Sequence, residues 1–158
     1  MFRELTRKKQ QLSPEESIEI LKQEPRGVLS VNGDDGYPYG MPMDHWYCEE
    51  DSCLYFHSGK KGHRTDAMRR CNKASYCVYD SGYRKEGEWS LNIKSVILFG
   101  HLEIIEDFDR AMAVTRQLSL KYTDDIEYID WEIRQSGKNT LVFRLVPEHI
   151  TGKLVNES

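Results

Sequence analysis

The chain has 158 residues, enough for one hydrophobic core and too few for two ordinary domains. Its formal charge of -4 argues against a general nucleic-acid surface, and no run approaches the roughly 18 apolar residues of a membrane span. The opening stretch Met1–Gln11 lacks the apolar centre of a signal peptide, so the expectation is a cytoplasmic protein of one domain, residues 1–158, with residues 1–13 as a polar N-terminal extension.

Ser13-Pro14-Glu15-Glu16 predicts a helix start: serine as N-cap, proline at the first helical position and acids in the first turn. Ile18 and Leu21 give that helix an apolar face, and Pro25 and Gly27 end it. Gly27–Val31 reads as a short strand, and Asn32–Gly36 is dense in turn residues, so a hairpin returns along about Tyr39–Cys48. Pro38 and Pro42 lack the donor that a central strand needs, which places them on an edge, at a bulge or against a ligand. The turn Glu49–Ser52 sets Cys48 opposite Cys53. The spacings among Cys48, Cys53, Cys71 and Cys77 are not those of paired zinc ligands, so free thiols are expected over a metal site or a disulfide.

The stretch from Cys53 to Cys71 carries the most chemistry. Leu54–Phe56 is a strand, His57–Gly62 a polar turn with two glycines, and Ala67, Met68 and Cys71 recur at helical spacing behind it. Between His57 and Lys73 six Lys or Arg face a single Asp, in a chain that is acidic overall. Lys60, Lys61 and Arg64, with His63, crowd the start of the helix, where the backbone dipole disfavours cations. A bound anion resolves that conflict, which makes the turn a candidate phosphate cradle of free backbone N–H groups, the Ser58 hydroxyl and two or three cations. A solvated basic turn is the alternative that local chemistry leaves open.

Ala74–Tyr79 alternates as a strand, and Ser81–Glu88 is an irregular charged excursion. Ser95–Ile105 is the strongest strand pattern, with Gly100 as a bulge or bend. Asp107 or Asp109 caps a helix over Arg110–Leu120. Tyr122–Ile133 is ambiguous, with isoleucines at helical spacing. Thr140–Val146 is the last strand, followed by Pro147 and a tail through Lys153. The sum is a mainly β chain: a six-stranded antiparallel barrel with peripheral helices. No glycine-rich loop follows the first strand with an acid some twenty residues on, which argues against a doubly wound dinucleotide fold.

His57 is the candidate catalytic residue, placed to contact a ligand or shuttle a proton near neutral pH; the alternative is a ring bonded to a neighbouring turn. No HxH or HExxH spacing points to a metal, and Ser58 has no partners for hydrolysis. Most strand aromatics are expected in the core or in a dimer contact, with Trp46 and Trp89 as candidates for ligand stacking.

Five segments in order carry a resemblance: Pro38–Met43, Leu54–Gly59, Gly62–Met68, Ser95–Ile97 with Phe99-Gly100, and His149–Lys153. Together they resemble the FMN-binding split-barrel family related to pyridoxamine phosphate oxidase, and within it the nitroimidazole-resistance-like branch. The resemblance implies a split barrel that forms a homodimer with FMN sites at the subunit interface. It implies that Pro42, Met43, Asp44 and His45 run along the isoalloxazine, that His57 and Ser58 lie at the end of the next strand, and that Lys61, His63 and Arg64 hold the phosphate. Ser95, Val96 and Trp89 would come from the second subunit. His45 stands where this branch often has tyrosine, and Arg64 where lysine is usual. The only late cations are Arg144, His149 and Lys153, so a grip on pyridoxal phosphate is not expected. The implied function is an FMN-dependent oxidoreductase passing electrons from NAD(P)H to a small organic acceptor, a nitroaromatic among the candidates. The alternative is a non-catalytic binding protein for FMN or another planar anionic cofactor such as haem. No nucleic-acid or membrane partner is expected.

Overall fold

A computed structural model describes residues 1–157. Alternation along the short strands decides which face turns inward. In β1 (Arg26–Asn32) Leu29 and Val31 point into the core, and in β5 (Lys73–Tyr79) Ala74, Tyr76 and Val78 do so. β4 (Cys53–Gly59) is buried along its first four residues, then turns outward from His57. With β2 (Pro38–Asp44), β3 (Trp46–Cys48), β6 (Leu91–Ile104) and β7 (Thr140–Glu157) these strands make one antiparallel sheet in the order β2-β1-β5-β6-β7-β4-β3. Its concave side packs Leu21, Leu29, Leu54, Phe56, Tyr76, Leu98, Phe143 and Leu145, none with exposed surface. Each such side chain contributes about 1.5–3 kcal/mol.

The sheet has seven strands, not six. The return strand expected over residues 39–48 breaks at His45, and its two pieces, β2 and β3, lie at opposite edges of the sheet. One residue therefore joins both edges. Neighbouring Cα atoms are about 3.8 Å apart, so the sheet has to curl until its edges meet at His45, giving a half-barrel closed at that corner by the chain itself. His45 leaves the ladder because its backbone groups bond to side chains: its N–H donates to the Tyr122 hydroxyl at 3.2 Å, and its carbonyl accepts from Lys121 Nζ at 2.9 Å.

The last strand also runs past its expected end. β7 continues through Pro147 to Glu157, paired with β6 from Ile104↔Phe143 to Leu91↔Glu157. The register slips at Phe99/Gly100, where Gly100 faces Pro147 and Phe99 faces His149, so the missing donor of proline falls where the ladder is already broken. A Cβ on Gly100 would lie 2.0 Å from the Val146 carbonyl oxygen, so the bulge depends on glycine.

Helices pack around this frame. α1 (Pro14–Gln23) starts on the expected motif as a full capping box: Glu16 N–H donates to Ser13 Oγ at 3.1 Å and Ser13 N–H to Glu16 Oε2 at 3.0 Å. Ser13→Ala should lower stability by about 1 kcal/mol, read as a lower urea midpoint at unchanged slope. α2 (His63–Arg70) follows β4. α3 (Phe108–Leu120) is capped by Asp107, and the ambiguous stretch is α4 (Ile126–Ser136), capped by Asp125. The N-terminal extension is tied at its end, where Leu12 is buried and its N–H donates to the Gly152 carbonyl. All four cysteines are free thiols, with Cys48 opposite Cys53. No helix among the described residues is long and apolar enough to cross a membrane.

Candidate functional site

Where β4 leaves the core, the chain passes through Ser58 to Gly62 and enters α2. Gly62 is the N-cap at φ 123°, a conformation that side-chain-bearing residues avoid, and no side chain caps the first turn. The N–H groups of His63, Arg64 and Thr65 therefore have no intrahelical acceptor. Lys60 and Lys61 are exposed, and among the described residues neither they nor Arg64 enter an ion pair. Arg64 is the unusual member. Its guanidinium is half-buried, with Nη1 3.0 Å from Met43 Sδ, and its Nε is buried without a partner. Burial pulls its pKa below the ordinary arginine value. A desolvated cation with an idle donor is costly, and an anion at the open amides of α2 removes that cost. These residues fit a phosphate group.

His63 is turned away from this cluster. Its ring stacks on Tyr39 at 4.1 Å between centroids, and its Nε2 lies 3.5 Å from Asp34, which also accepts from Arg70 at 2.9 Å. It braces the cradle against the β1–β2 turn.

Next to Arg64 lies a cleft of about 310 Å³ lined by Arg26, Pro42, Met43, Asp44 and His57. Pro42 and Asp44 come from the edge strand β2, where a proline costs no ladder bond, and His57 from the outward end of β4. Asp44 accepts from Arg26 Nε at 2.8 Å. His57 is held below the usual histidine value, first by desolvation and then by the Arg64 charge, with Asp44 opposing. Pro42, Met43, Asp44, His57 and Arg64, separate in sequence, thus share one cleft and its margin, with Ser58 and Lys61 on the adjoining turn.

His45 does not join them. Its ring has no exposed surface: Nε2 donates to the Leu21 carbonyl at 2.6 Å, and Nδ1 lies 2.8 Å from the Tyr76 hydroxyl, itself 2.8 Å from the Met43 carbonyl. Its backbone is spoken for as well, so it offers nothing to a ligand and instead fixes the corner that carries Met43 and Asp44. Lys121 completes the knot, donating to the Glu24 carbonyl at 2.6 Å and to that of His45, and burial draws its pKa down to about 8. Tyr122, which also bonds Pro25 and His45, is pushed up to about 12, mainly by burial. Nothing in the sequence marked Lys121 or Tyr122, since both act on residues 76 or more positions away.

Trp89, Ser95 and Val96 line neither this cleft nor its margin within the chain. Trp89 is 75% exposed in the loop before β6, and Ser95 sits outward on β6 between Tyr79 and Lys153. Val96 has no exposed surface, so its side chain belongs to the core of its own chain. Outward from β6 the register aligns Val28, Cys77 and Ile97 across three strands, with Phe99 one step along. Val28, Ile97 and Phe99 are each about 40% exposed (38%, 40% and 41%), an apolar stripe whose Phe99 end is stacked by the Phe2 ring at 5.6 Å between centroids.

Residues 13–154 match the family model for pyridoxamine 5'-phosphate oxidase. The chain belongs to that family. Membership implies a flavin site. No curated protein matches the sequence. Among solved structures, a candidate 5-nitroimidazole antibiotic resistance protein from Bacteroides thetaiotaomicron superposes with a TM-score of 0.80 at 22% identity, over 93% of this chain and 87% of that one. A conserved hypothetical protein from Mycobacterium tuberculosis gives 0.77 at 20% identity, over 95% and 90%. An FAD and haem binding protein from Mycobacterium smegmatis gives 0.73 at 21% identity, over 92% and 73%. At these identities the likeness is one of fold.

Proposed function

We propose that the chain is a single-domain, FMN-dependent oxidoreductase that works as a homodimer and passes electrons from NAD(P)H to a small organic acceptor, nitroaromatics included. The observation that carries this reading is Arg64, a half-buried cation with an unpartnered Nε beside the uncapped start of α2 and the unpaired Lys61. Family membership points the same way. In this reading Arg64, Lys61, the Ser58 hydroxyl and the first amides of α2 hold the phosphate, with His63 as their brace. Pro42, Met43 and Asp44 flank the ring system, and Asp44 and His57 set the polarity at its edge. Bound there, FMN supplies two-electron transfer between the nicotinamide and the acceptor. His57, whose pKa burial holds below the ordinary histidine value, is placed to hold or hand on a proton at the cleft mouth.

The apolar stripe of Val28, Ile97 and Phe99 supports the dimer, since a second copy would cover it, and in this reading Ser95 and Trp89 belong to the second copy's share of the site. Val96 can take part only through its backbone.

The purified protein should show flavin absorbance or take up added FMN, and should sediment as a dimer. Mixed anaerobically with NADH or NADPH, its flavin band should bleach. Absence of flavin with no uptake of FMN would sink the cofactor assignment. A bound flavin that neither donor bleaches would favour the second reading, a binding protein for FMN or haem, which the FAD and haem binding protein of the same fold supports.

A further inference from the structure

Behind Asp44 and His57 a second cavity, of about 220 Å³, opens under the α3–α4 corner and shares those two residues with the first cleft. Its remaining walls include Tyr122, Tyr128, Ile129 and Glu132. The inserted helices α3 and α4 wall this space, Tyr122 being shared with the barrel corner, and the phosphate cradle does not use it. Resting on the flavin reading above, we propose that this cavity is the acceptor pocket, and that it selects a single-ring aromatic bearing a cationic or N–H-donating substituent.

Size and walls set the first half of the claim. An apolar cavity of about 150 Å³ holds one benzene ring, so this one takes a ring with one polar substituent and not a fused ring system. Two tyrosine rings and Ile129, which is almost wholly buried, supply the flat apolar contact.

Charge sets the second half. The groups that face the cavity are Asp44 from β2, His57 from β4, Tyr122 after α3, and Tyr128 and Glu132 from α4. The nearby cations are committed elsewhere: Arg26 is paired with Asp44, Lys121 donates into the Glu24 and His45 carbonyls, and Arg64 borders the phosphate turn. Glu132 is left with only the neutral Tyr128 hydroxyl, 3.2 Å from its Oε1, and enters no ion pair among the described residues. A half-buried carboxylate without a counter-charge attracts a cation or donor and repels an anion, and rejection of the wrong charge is as much a part of selectivity as attraction of the right one.

Benzamidine, benzamide and benzoate share one shape and differ in charge. Calorimetry on the FMN-loaded protein should give benzamidine at least ten-fold tighter binding than benzoate, with benzamide between them. In Glu132→Gln the ratio should fall below about three-fold, while FMN affinity, measured separately by absorbance titration, is unchanged. The preference should persist in the apoprotein, because α4 and not the cofactor creates it. Benzoate binding as tightly as benzamidine, failure of all three to bind, a preference that survives Glu132→Gln, or one that needs flavin would each overturn the proposal. A failed FMN titration instead removes the flavin reading, so the two are judged on different measurements.

Discussion

Arg64→Ala should weaken FMN binding by about 2 kcal/mol, roughly thirty-fold, and Lys61→Ala by about 1 kcal/mol, with riboflavin affinity nearly unchanged in both. The two cations differ for a physical reason. Lys61 is exposed and works through solvent, whereas Arg64 is half-buried against Met43 with an idle Nε, so its contacts to a phosphate form where water competes less. The same burial makes Arg64 a liability in the apoprotein. Arg64→Met, which keeps the apolar contact and drops the charge, should leave apoprotein stability equal or higher while shrinking the stabilisation that FMN confers, since a ligand stabilises the fold by an amount that grows with the logarithm of its affinity. Differential scanning of each variant with and without FMN and riboflavin reads both effects. Equal losses for the two flavins would mean that Arg64 acts through the fold, and the turn would revert to a solvated basic surface.

What the sequence disclosed and what it hid follow from the range of the interactions. The capping box at Ser13, the alternation of β1 and β5, the hairpin at Glu49–Ser52 and the basic turn are local patterns, and each stands where the sequence placed it. The break at His45 is not local. A continuous return strand over 39–48 satisfies every short-range rule, and only the bonds from Lys121 and Tyr122, some 76 residues on, pull that residue out of the ladder. Likewise Pro147 ends a strand by every local criterion and is carried through because Gly100, on the neighbouring strand, shifts the register there. For α4 the signal was present, in Asp125 bonding the Tyr128 amide as an N-cap, but isoleucines at helical spacing on a short segment did not settle the choice between helix and strand. Of the candidate site, the basic turn leading into α2 was legible because a charge conflict at a helix start is itself local. His45 was misplaced because its position beside Asp44 in sequence says nothing of the corner it fills.

That corner gives the other large effect. His45→Ala should cost about 4 kcal/mol of stability, because it removes a fully buried ring, leaves a cavity where both sheet edges meet, and strands the Leu21 carbonyl, although the Tyr76 hydroxyl keeps its bond to Met43. His45→Gln, a neutral side chain with an N–H to offer Leu21, should cost less and supplies the control for a second effect, on pH. Burial, and then the charge of Lys121, hold the His45 pKa at about 4 against 6.5 for a free histidine. As pH falls below 6.5 the unfolded chain takes up this proton and the folded chain does not, so the stability contributed by the neutral ring drains away until about pH 4 and then levels off. The span of roughly 2.5 units corresponds to about 3 kcal/mol. Urea unfolding at pH 7 and at pH 4.5 should therefore show a larger acid loss in the wild type than in His45→Gln, the difference approaching that figure. Carboxylates titrate alike in both proteins and cancel in the comparison. Parallel losses would mean that the ring accepts its proton in place, with Nδ1–H donating to the Tyr76 hydroxyl and the hydroxyl to the Met43 carbonyl, at a folded-state value close to that of a free histidine. The seam would then be a proton-accommodating chain of bonds ending at Met43 on the cleft, and His45 would contribute nothing to the acid loss. Lys121, lowered only to about 8, is protonated in both states across this range and cannot take its place.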